Sequence, residues 1–164
     1  MAILNVADGP TSIFLAGKWN MGWLNVFGLI IVILLLIPNM VYAANYRDVI
    51  NKCTNKVMNI LEQIGRYGCM FLMVFHIGIA EDGFSSIAMF LVYLIGNAVL
   101  MFSYWVVWMM YFIKPKNSKQ MALAVIPTLI FLLSGITMGH YVLIAAGIIF
   151  GIAHIYVTYQ NRQE

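Results

Sequence analysis

Long runs of this chain contain no Asp, Glu, Lys or Arg, and one of them extends from Phe84 to Ile113. A helix of about 20 apolar residues is long enough to cross the hydrocarbon core of a bilayer. A second uncharged run extends from Val26 to Ile37. Only 9% of the 164 residues are charged, whereas soluble domains carry about 25%. The sequence therefore predicts an all-α integral membrane protein.

Charged and turn-forming segments divide the chain into five predicted transmembrane helices. Glu81-Asp82-Gly83 ends the second span, a lysine-rich loop from Lys114 to Gln120 ends the third, and Gly139-His140 separates the last two. We predict an N-terminal turn, interfacial or re-entrant segment at residues 1–20, a bundle at 21–159 and a short cytoplasmic tail at 160–164. The predicted spans are Trp23–Ala44, Val57–Ala80, Phe84–Ile113, Met121–Met138 and Tyr141–Tyr159.

The second span has a long polar approach. A single helix from Tyr46 to Ala80 would be about 52 Å long at 1.5 Å per residue. The hydrocarbon core is about 30 Å thick, so roughly the first four turns are expected outside it. Glu62 and Arg66 are four residues apart in the order that favours an ion pair, which predicts an anchor at the membrane edge.

The basic residues predict how the bundle is oriented. With five spans, eight of the nine Lys and Arg residues lie on one side, and only Lys18 lies on the other. Lys and Arg are enriched on the cytoplasmic side of membrane proteins. We therefore expect the N-terminus outside and the C-terminus inside a cell membrane, the bacterial inner membrane. The bilayer is the expected partner, no nucleic acid is expected, and the four tryptophans, Trp19, Trp23, Trp105 and Trp108, are expected to be interfacial anchors.

Polar residues recur every three or four positions within the spans, a spacing that places them on one helical face. Polar side chains are costly in contact with acyl chains, so these faces are expected to meet inside the bundle. Two interpretations stay open: interhelical hydrogen bonds that only fix packing, and a polar cavity that handles a ligand. The candidate binding residues are Asp8, Asn39, Glu62, His76, Tyr93, Asn97, Tyr104 and His154.

Other chemistry has weaker support in the sequence. Asp8, His76 and His140, with Glu81 or Asp82, could supply imidazole and carboxylate ligands to a metal ion. A haem held by the two histidines is conceivable but not favoured, because no local ligand spacing supports it. The serines lack a neighbouring base for hydrolysis, so a non-catalytic role is favoured. Four glycines could bring the last two helices together, or seat a second copy or a larger membrane complex: Gly135, Gly139, Gly147 and Gly151.

One short segment carries a resemblance to a known family. "ADGPTSIFLAGK", from Ala7 to Lys18, resembles the Ala-Asp-Gly-Pro-Thr segment in the beta subunit of sodium-ion-translocating decarboxylases. That resemblance implies Asp8 as a residue coupled to a sodium ion, although Asn5-Val6 replaces the family's Gly-Gly pair. The rest of the chain resembles small uncharacterised bacterial membrane proteins, a likeness that implies no activity.

The sequence thus predicts a small multi-pass membrane protein that moves or binds a small cation or solute through an interior polar seam. One alternative is a binding, scaffold or sensor subunit without turnover. A second alternative is an enzyme acting on lipid, which would need an ionisable pair that opens sideways to the bilayer. The ligand and any cofactor other than a sodium ion are not specified.

Overall fold

A computed structural model describes residues 23–45 and 51–162, and within these ranges the chain is all-helical. Four of its five helices are long and apolar enough to span a membrane, which confirms the predicted class. The exception is the second helix, which has a more polar first half, so its crossing of the membrane stays a prediction. The helices are α1 (Val26–Asn45), α2 (Lys56–Val74), α3 (Ile87–Ile113), α4 (Asn117–Thr137) and α5 (Tyr141–Gln160).

The second helix is shorter at both ends than the single helix considered from the sequence. It begins at Lys56 because the Asn55 side chain accepts the backbone N–H groups of the next turn, as an N-cap does. It ends at Val74, because Phe75 is extended and pairs with Leu24 in an isolated β-bridge. Residues 51–55 are not helical, and residues 46–50 lie outside the described ranges.

The helices form a ring in which chain neighbours are not always spatial neighbours. The α5 helix lies between α2 and α4 and packs extensively on both, and α4 also packs along α3. The α1 helix completes the ring with smaller contacts to α2 and α3. One face of α1 is therefore directed away from the protein, and its exposed residues include Ile30, Ile33, Ile37, Met40 and Val41.

The two ends of the bundle differ in chemistry. At one end, which we call the histidine end, the start of α1, the 75–86 loop and the α4–α5 turn meet. A β-bridge between Glu81 and His140 joins that loop to that turn. At the other end the Asn161 side chain accepts the Lys52 N–H, and its amide donates to Asn51. We call this the basic end, after Lys52, Lys56, Lys114, Lys116, Lys119 and Arg162.

Two glycines set how closely α5 packs on its neighbours. A Cβ added at Gly65 of α2 would lie 2.9 Å from the Phe150 Cα, and one at Gly151 would lie 2.4 Å from the Thr128 Cγ2 on α4. Both glycines are buried, as are two others at the contact between the last two helices, Gly135 and Gly147. The structure thus uses these glycines for packing within the chain, and an oligomer formed through them stays a prediction.

The centre of the bundle is filled by large side chains. Met73, Ile130 and Leu143 are fully buried, and Phe131 and Phe150 meet edge to face with ring centroids 5.6 Å apart. These residues belong to one apolar cluster to which all five helices contribute. The polar groups of the two ends are therefore separated by a packed apolar layer.

Candidate functional site

A carboxylate is buried where α2 packs against α5. Glu62 is 5% exposed, and its Oε1 accepts a hydrogen bond from the Arg66 guanidinium one turn later. The same oxygen lies 2.9 Å from the His154 Nδ1, and because a carboxylate only accepts, this ring nitrogen carries the proton. The Glu62–Arg66 pair predicted from the spacing is therefore present, but with its carboxylate buried between two helices.

A cavity of about 300 Å³ lies beside this cluster, toward the basic end. All five helices contribute residues to its wall, so it lies between the helices, and it is partly open. We call it the basic-end cavity. It is lined by Asn39, Tyr42, Ala43, Arg66, Trp108, Tyr111, Gln120, Leu123, Ala124, His154 and Thr158.

A smaller cavity of about 60 Å³ continues toward the centre of the bundle. It shares Asn39, Arg66 and His154 with the basic-end cavity and reaches the Tyr104 side chain. The Asn39 amide donates to the Tyr104 hydroxyl at 2.8 Å and to the Leu35 carbonyl at 2.7 Å. The apolar layer closes this end, because Phe131 and Phe150 form part of its wall.

Three aromatic rings form one wall of the basic-end cavity. The Trp108 ring centroid lies 5.4 Å from that of Tyr42 and 5.7 Å from that of Tyr111. Trp108 is only 6% exposed, and within residues 23–45 and 51–162 its indole N–H has the Tyr104 hydroxyl as a neighbour but makes no hydrogen bond of ordinary geometry. The expectation that Trp108 is an interfacial anchor is therefore wrong. Its periodicity places it on the inner face of α3, one turn after Tyr104.

The histidine end holds a second ionisable cluster. The Glu81 carboxylate lies between two imidazoles, with Oε2 3.1 Å from the His76 Nδ1 and Oε1 2.8 Å from the His140 Nε2. His140 is fully buried, and its Nδ1 lies 3.4 Å from the Leu143 N–H, which it accepts as an N-cap of α5. The proton of the neutral ring is therefore on Nε2, facing Glu81. Burial lowers the pKa of His140, the nearby His76 lowers it further, and the Glu81 charge opposes both effects.

Two predicted binding residues lie away from the basic-end cavity, and one of them, Asn97, lines an apolar cavity of about 320 Å³ between α1 and α3. Asn97 is 1% exposed, and its amide donates to the Tyr93 carbonyl at 2.8 Å and to the Ser134 hydroxyl on α4 at 3.1 Å. Tyr93 is fully buried and meets Phe84 edge to face. These contacts correspond to the packing interpretation of the polar faces, in which an asparagine joins two helices without a ligand.

The structure thus brings together four of the eight candidate binding residues: Asn39, Glu62, Tyr104 and His154. His76 lies at the opposite end of the bundle, and Asp8 lies outside the described residues. The sequence did not single out Trp108 as a ligand-facing residue. It follows the three- and four-residue spacing of the polar face of α3, and this spacing was the signal that could have found it.

Within residues 23–45 and 51–162, no group of three or more His, Cys, Asp or Glu side chains is arranged to hold a metal ion. His76 and His140 instead direct one ring nitrogen each at Glu81. A metal or sodium site that includes Asp8 stays a prediction, because Asp8 lies outside these ranges.

Comparison of the chain with protein-family models, with curated proteins and with solved structures finds no match. The fold and the cavity nevertheless define a class of protein. In the part of the chain that the structure describes, it is an all-helical protein with four membrane-span-like helices and a cavity with ionisable walls at one end of the bundle. The resemblance of the Ala7–Lys18 segment to the decarboxylase beta subunit concerns residues outside the described ranges and stays a prediction.

Proposed function

We propose that this protein binds a small solute in the basic-end cavity, from the aqueous phase on that side of the membrane. The observation that carries the proposal is the composition of the cavity wall. Arg66 and His154 line the cavity while both contact the same buried carboxylate. Ionisable groups with specific partners in a concave site are typical of ligand-binding sites.

The geometry favours a binding role over an enzyme acting on lipid. A lipid substrate would reach an ionisable pair from the side, whereas side chains of all five helices surround this cavity. Binding is also favoured over free passage, because large apolar side chains fill the layer between the two ends.

We further propose that α2 crosses the membrane and that the basic end faces the bacterial cytoplasm. The extensive packing of α2 along α5 supports the crossing, because α5 is itself long and apolar enough to span. The Lys and Arg residues at one end support the orientation.

The test uses a cysteine placed in the cavity wall, in a background where Cys53 and Cys69 are replaced by alanine. Thr158 lines the cavity and is 9% exposed, and Thr137→Cys is a control at a buried position outside it that is 3% exposed. We expect iodoacetamide to modify the first cysteine and not the second.

At least one of six solutes should slow the modification of Thr158→Cys: benzoate, benzamide, benzylamine, hexanoate, hexanamide or hexylamine. An unreactive Thr158→Cys, or no slowing by any of the six, would contradict the proposal.

Transport is the second candidate function. It is favoured by the presence of a carboxylate–histidine cluster at each end of the α2–α5 pair, Glu62 with His154 and Glu81 with His76 and His140. Uptake of a radiolabelled form of the protecting solute into proteoliposomes, above that of protein-free liposomes, would support transport. Protection of Thr158→Cys without uptake would support binding alone.

A further inference from the structure

Two of the polar side chains that line the basic-end cavity, Arg66 and Trp108, can only donate hydrogen bonds, whereas the Asn, Gln, Tyr and Thr side chains of the wall can donate or accept. The Arg66 guanidinium lines the cavity with its side chain 33% exposed, and an arginine has five N–H donors and no acceptor. Within the described residues the buried Trp108 N–H has only the Tyr104 hydroxyl as a neighbouring acceptor, in a contact that falls short of hydrogen-bond geometry. A poorly matched buried donor is costly, so a ligand atom that accepts this N–H would be stabilising.

The main acceptor near the cavity is already engaged. Glu62 accepts from Arg66 and from His154 through the same oxygen. A cationic ligand would have to compete with Arg66 for this carboxylate. An anionic ligand could instead bind the guanidinium N–H groups that point away from Glu62, and guanidinium groups bind carboxylates with two parallel hydrogen bonds.

The charge around the cavity also favours an anion. Among the described residues of the basic end Glu62 is the one acid, and it is paired, while Asp48 and Glu164 of the sequence lie outside the described ranges. A surface of one sign raises the local concentration of ligands of the opposite sign. The described cations of the basic end, in addition to Arg66, are Lys52, Lys56, Lys114, Lys116, Lys119 and Arg162.

The shape and surface of the wall indicate the body of the ligand. The rings of Tyr42, Trp108 and Tyr111 have centroids within 6.0 Å of one another, on the side of the cavity formed by α1 and α3. Aromatic rings pack favourably against other flat rings in offset or edge-to-face geometry. A flat apolar body could therefore pack against these rings while its charged group meets Arg66.

We propose that the basic-end cavity binds a small organic carboxylate with a flat apolar body, held by the Arg66 guanidinium and the Trp108 indole N–H. This inference rests on the proposed function, since it names the class of solute for the same cavity. The carboxylate comes from water and not from a lipid headgroup, because the five helices surround the site.

The test compares ligands of one shape and three charges. Benzoate, benzamide and benzylamine share a ring and differ in the head group. Binding to the full-length protein in nanodiscs is measured by isothermal titration calorimetry. We expect benzoate to bind at least about tenfold more tightly than the other two, and more tightly than the chain-like hexanoate.

Two variants test the named donors. Trp108→Phe keeps the ring and removes the N–H, and should weaken benzoate binding about tenfold. Trp105→Phe is the matched control, because its indole N–H donates to the Leu34 carbonyl at 3.2 Å, outside the cavity wall. Arg66→Lys, which keeps the charge but not the planar fork, should weaken benzoate more than it weakens benzamide. These variants leave the Glu62 carboxylate with a cationic neighbour and so avoid an unpaired buried charge.

Tighter binding of benzamide, benzylamine or hexanoate than of benzoate would overturn the inference. So would equal weakening by Trp108→Phe and Trp105→Phe. These failures are distinct from failure of the proposed function, in which none of the six solutes protects Thr158→Cys. If a solute other than benzoate protects Thr158→Cys, the proposal that the cavity binds a solute stands. Only the assignment of a carboxylate as its ligand is then overturned.

Discussion

Gly65 and Gly68 lie one turn apart on α2 and differ in what a methyl group would meet. A Cβ at Gly65 would press on the Phe150 backbone of α5, whereas one at Gly68 would have nothing within 4 Å. We expect Gly65→Ala to lower the free energy of unfolding by about 1–3 kcal/mol through overpacking. Gly68→Ala should be neutral or stabilising by up to about 1 kcal/mol, because alanine favours the helix. Thermal unfolding in detergent compares the two variants, and equal effects would contradict the close approach.

The histidine end makes stability dependent on pH. Because burial lowers the pKa of His140 below its ordinary value of 6.5, the unfolded chain binds a proton there more readily than the folded protein does. This contribution to stability is fully present above pH 6.5 and is lost as the pH falls toward the lowered pKa. Glu81, His76 and Asp82 are the ionisable groups that lie around His140.

We expect the unfolding temperature to fall between about pH 6.5 and pH 5, and to fall less in His140→Gln. The same series in His154→Gln shows how much of the slope comes from the carboxylate–histidine cluster at the basic end. The measurement is thermal unfolding in detergent at a series of pH values. A slope in His140→Gln as steep as in the unmodified protein would contradict the assignment to this histidine.

At the scale of helices, the hydrogen bonds between Asn97 on α3 and Ser134 on α4 test whether a buried polar contact is packing alone. A double-mutant cycle with Asn97→Leu and Ser134→Ala should give a coupling energy of about 0.6 kcal/mol, the average for such bonds in membranes. Solute protection of Thr158→Cys should be unchanged in Ser134→Ala. Loss of that protection would assign the Asn97 region to the ligand site.

The sequence predicted the helices better than the site. Uncharged runs and breaker residues located all five helices. The predicted ends of α2 were wrong by a few residues, because Asn55 and Phe75 redirect the backbone there. Glu62 and His154 were both among the candidate binding residues, but their contact across α2 and α5 was not predicted. The inward position of Trp108 could not be chosen with confidence from the sequence, because a tryptophan near a helix end suits both the membrane interface and the interior.

The ring order of the helices was not predictable either. Hydropathy gives the position of each helix along the chain but not its neighbours, and here α2 packs most closely on α5, the last helix. That contact depends on Gly65 facing the Phe150 backbone and on the ionisable pairs at both ends. Such long-range complementarity leaves no local pattern in one sequence.

At the scale of the whole molecule, orientation and the crossing of α2 can be tested together. Ser118→Cys and Thr54→Cys are exposed at the basic end, and Ser85→Cys is exposed at the histidine end. In intact cells, with the native cysteines replaced, a membrane-impermeant maleimide should label only Ser85→Cys. Permeabilised cells provide the control, in which all three should react. Labelling of Thr54→Cys and Ser85→Cys alike in intact cells would contradict the crossing of α2.

The pairing of Glu62 with His154 has a consequence for biosynthesis. The partner imidazole is translated 92 residues after the carboxylate, which at about 5–20 residues per second is a delay of roughly five to twenty seconds. During that interval Glu62 has only Arg66, four residues later in its own helix, as a partner, and the most polar of the five helices lacks its contact with α5. In a nascent chain stalled after Thr137, residues 54 and 85 should therefore lie on the same side of the bilayer. After the finished chain is released, they should lie on opposite sides.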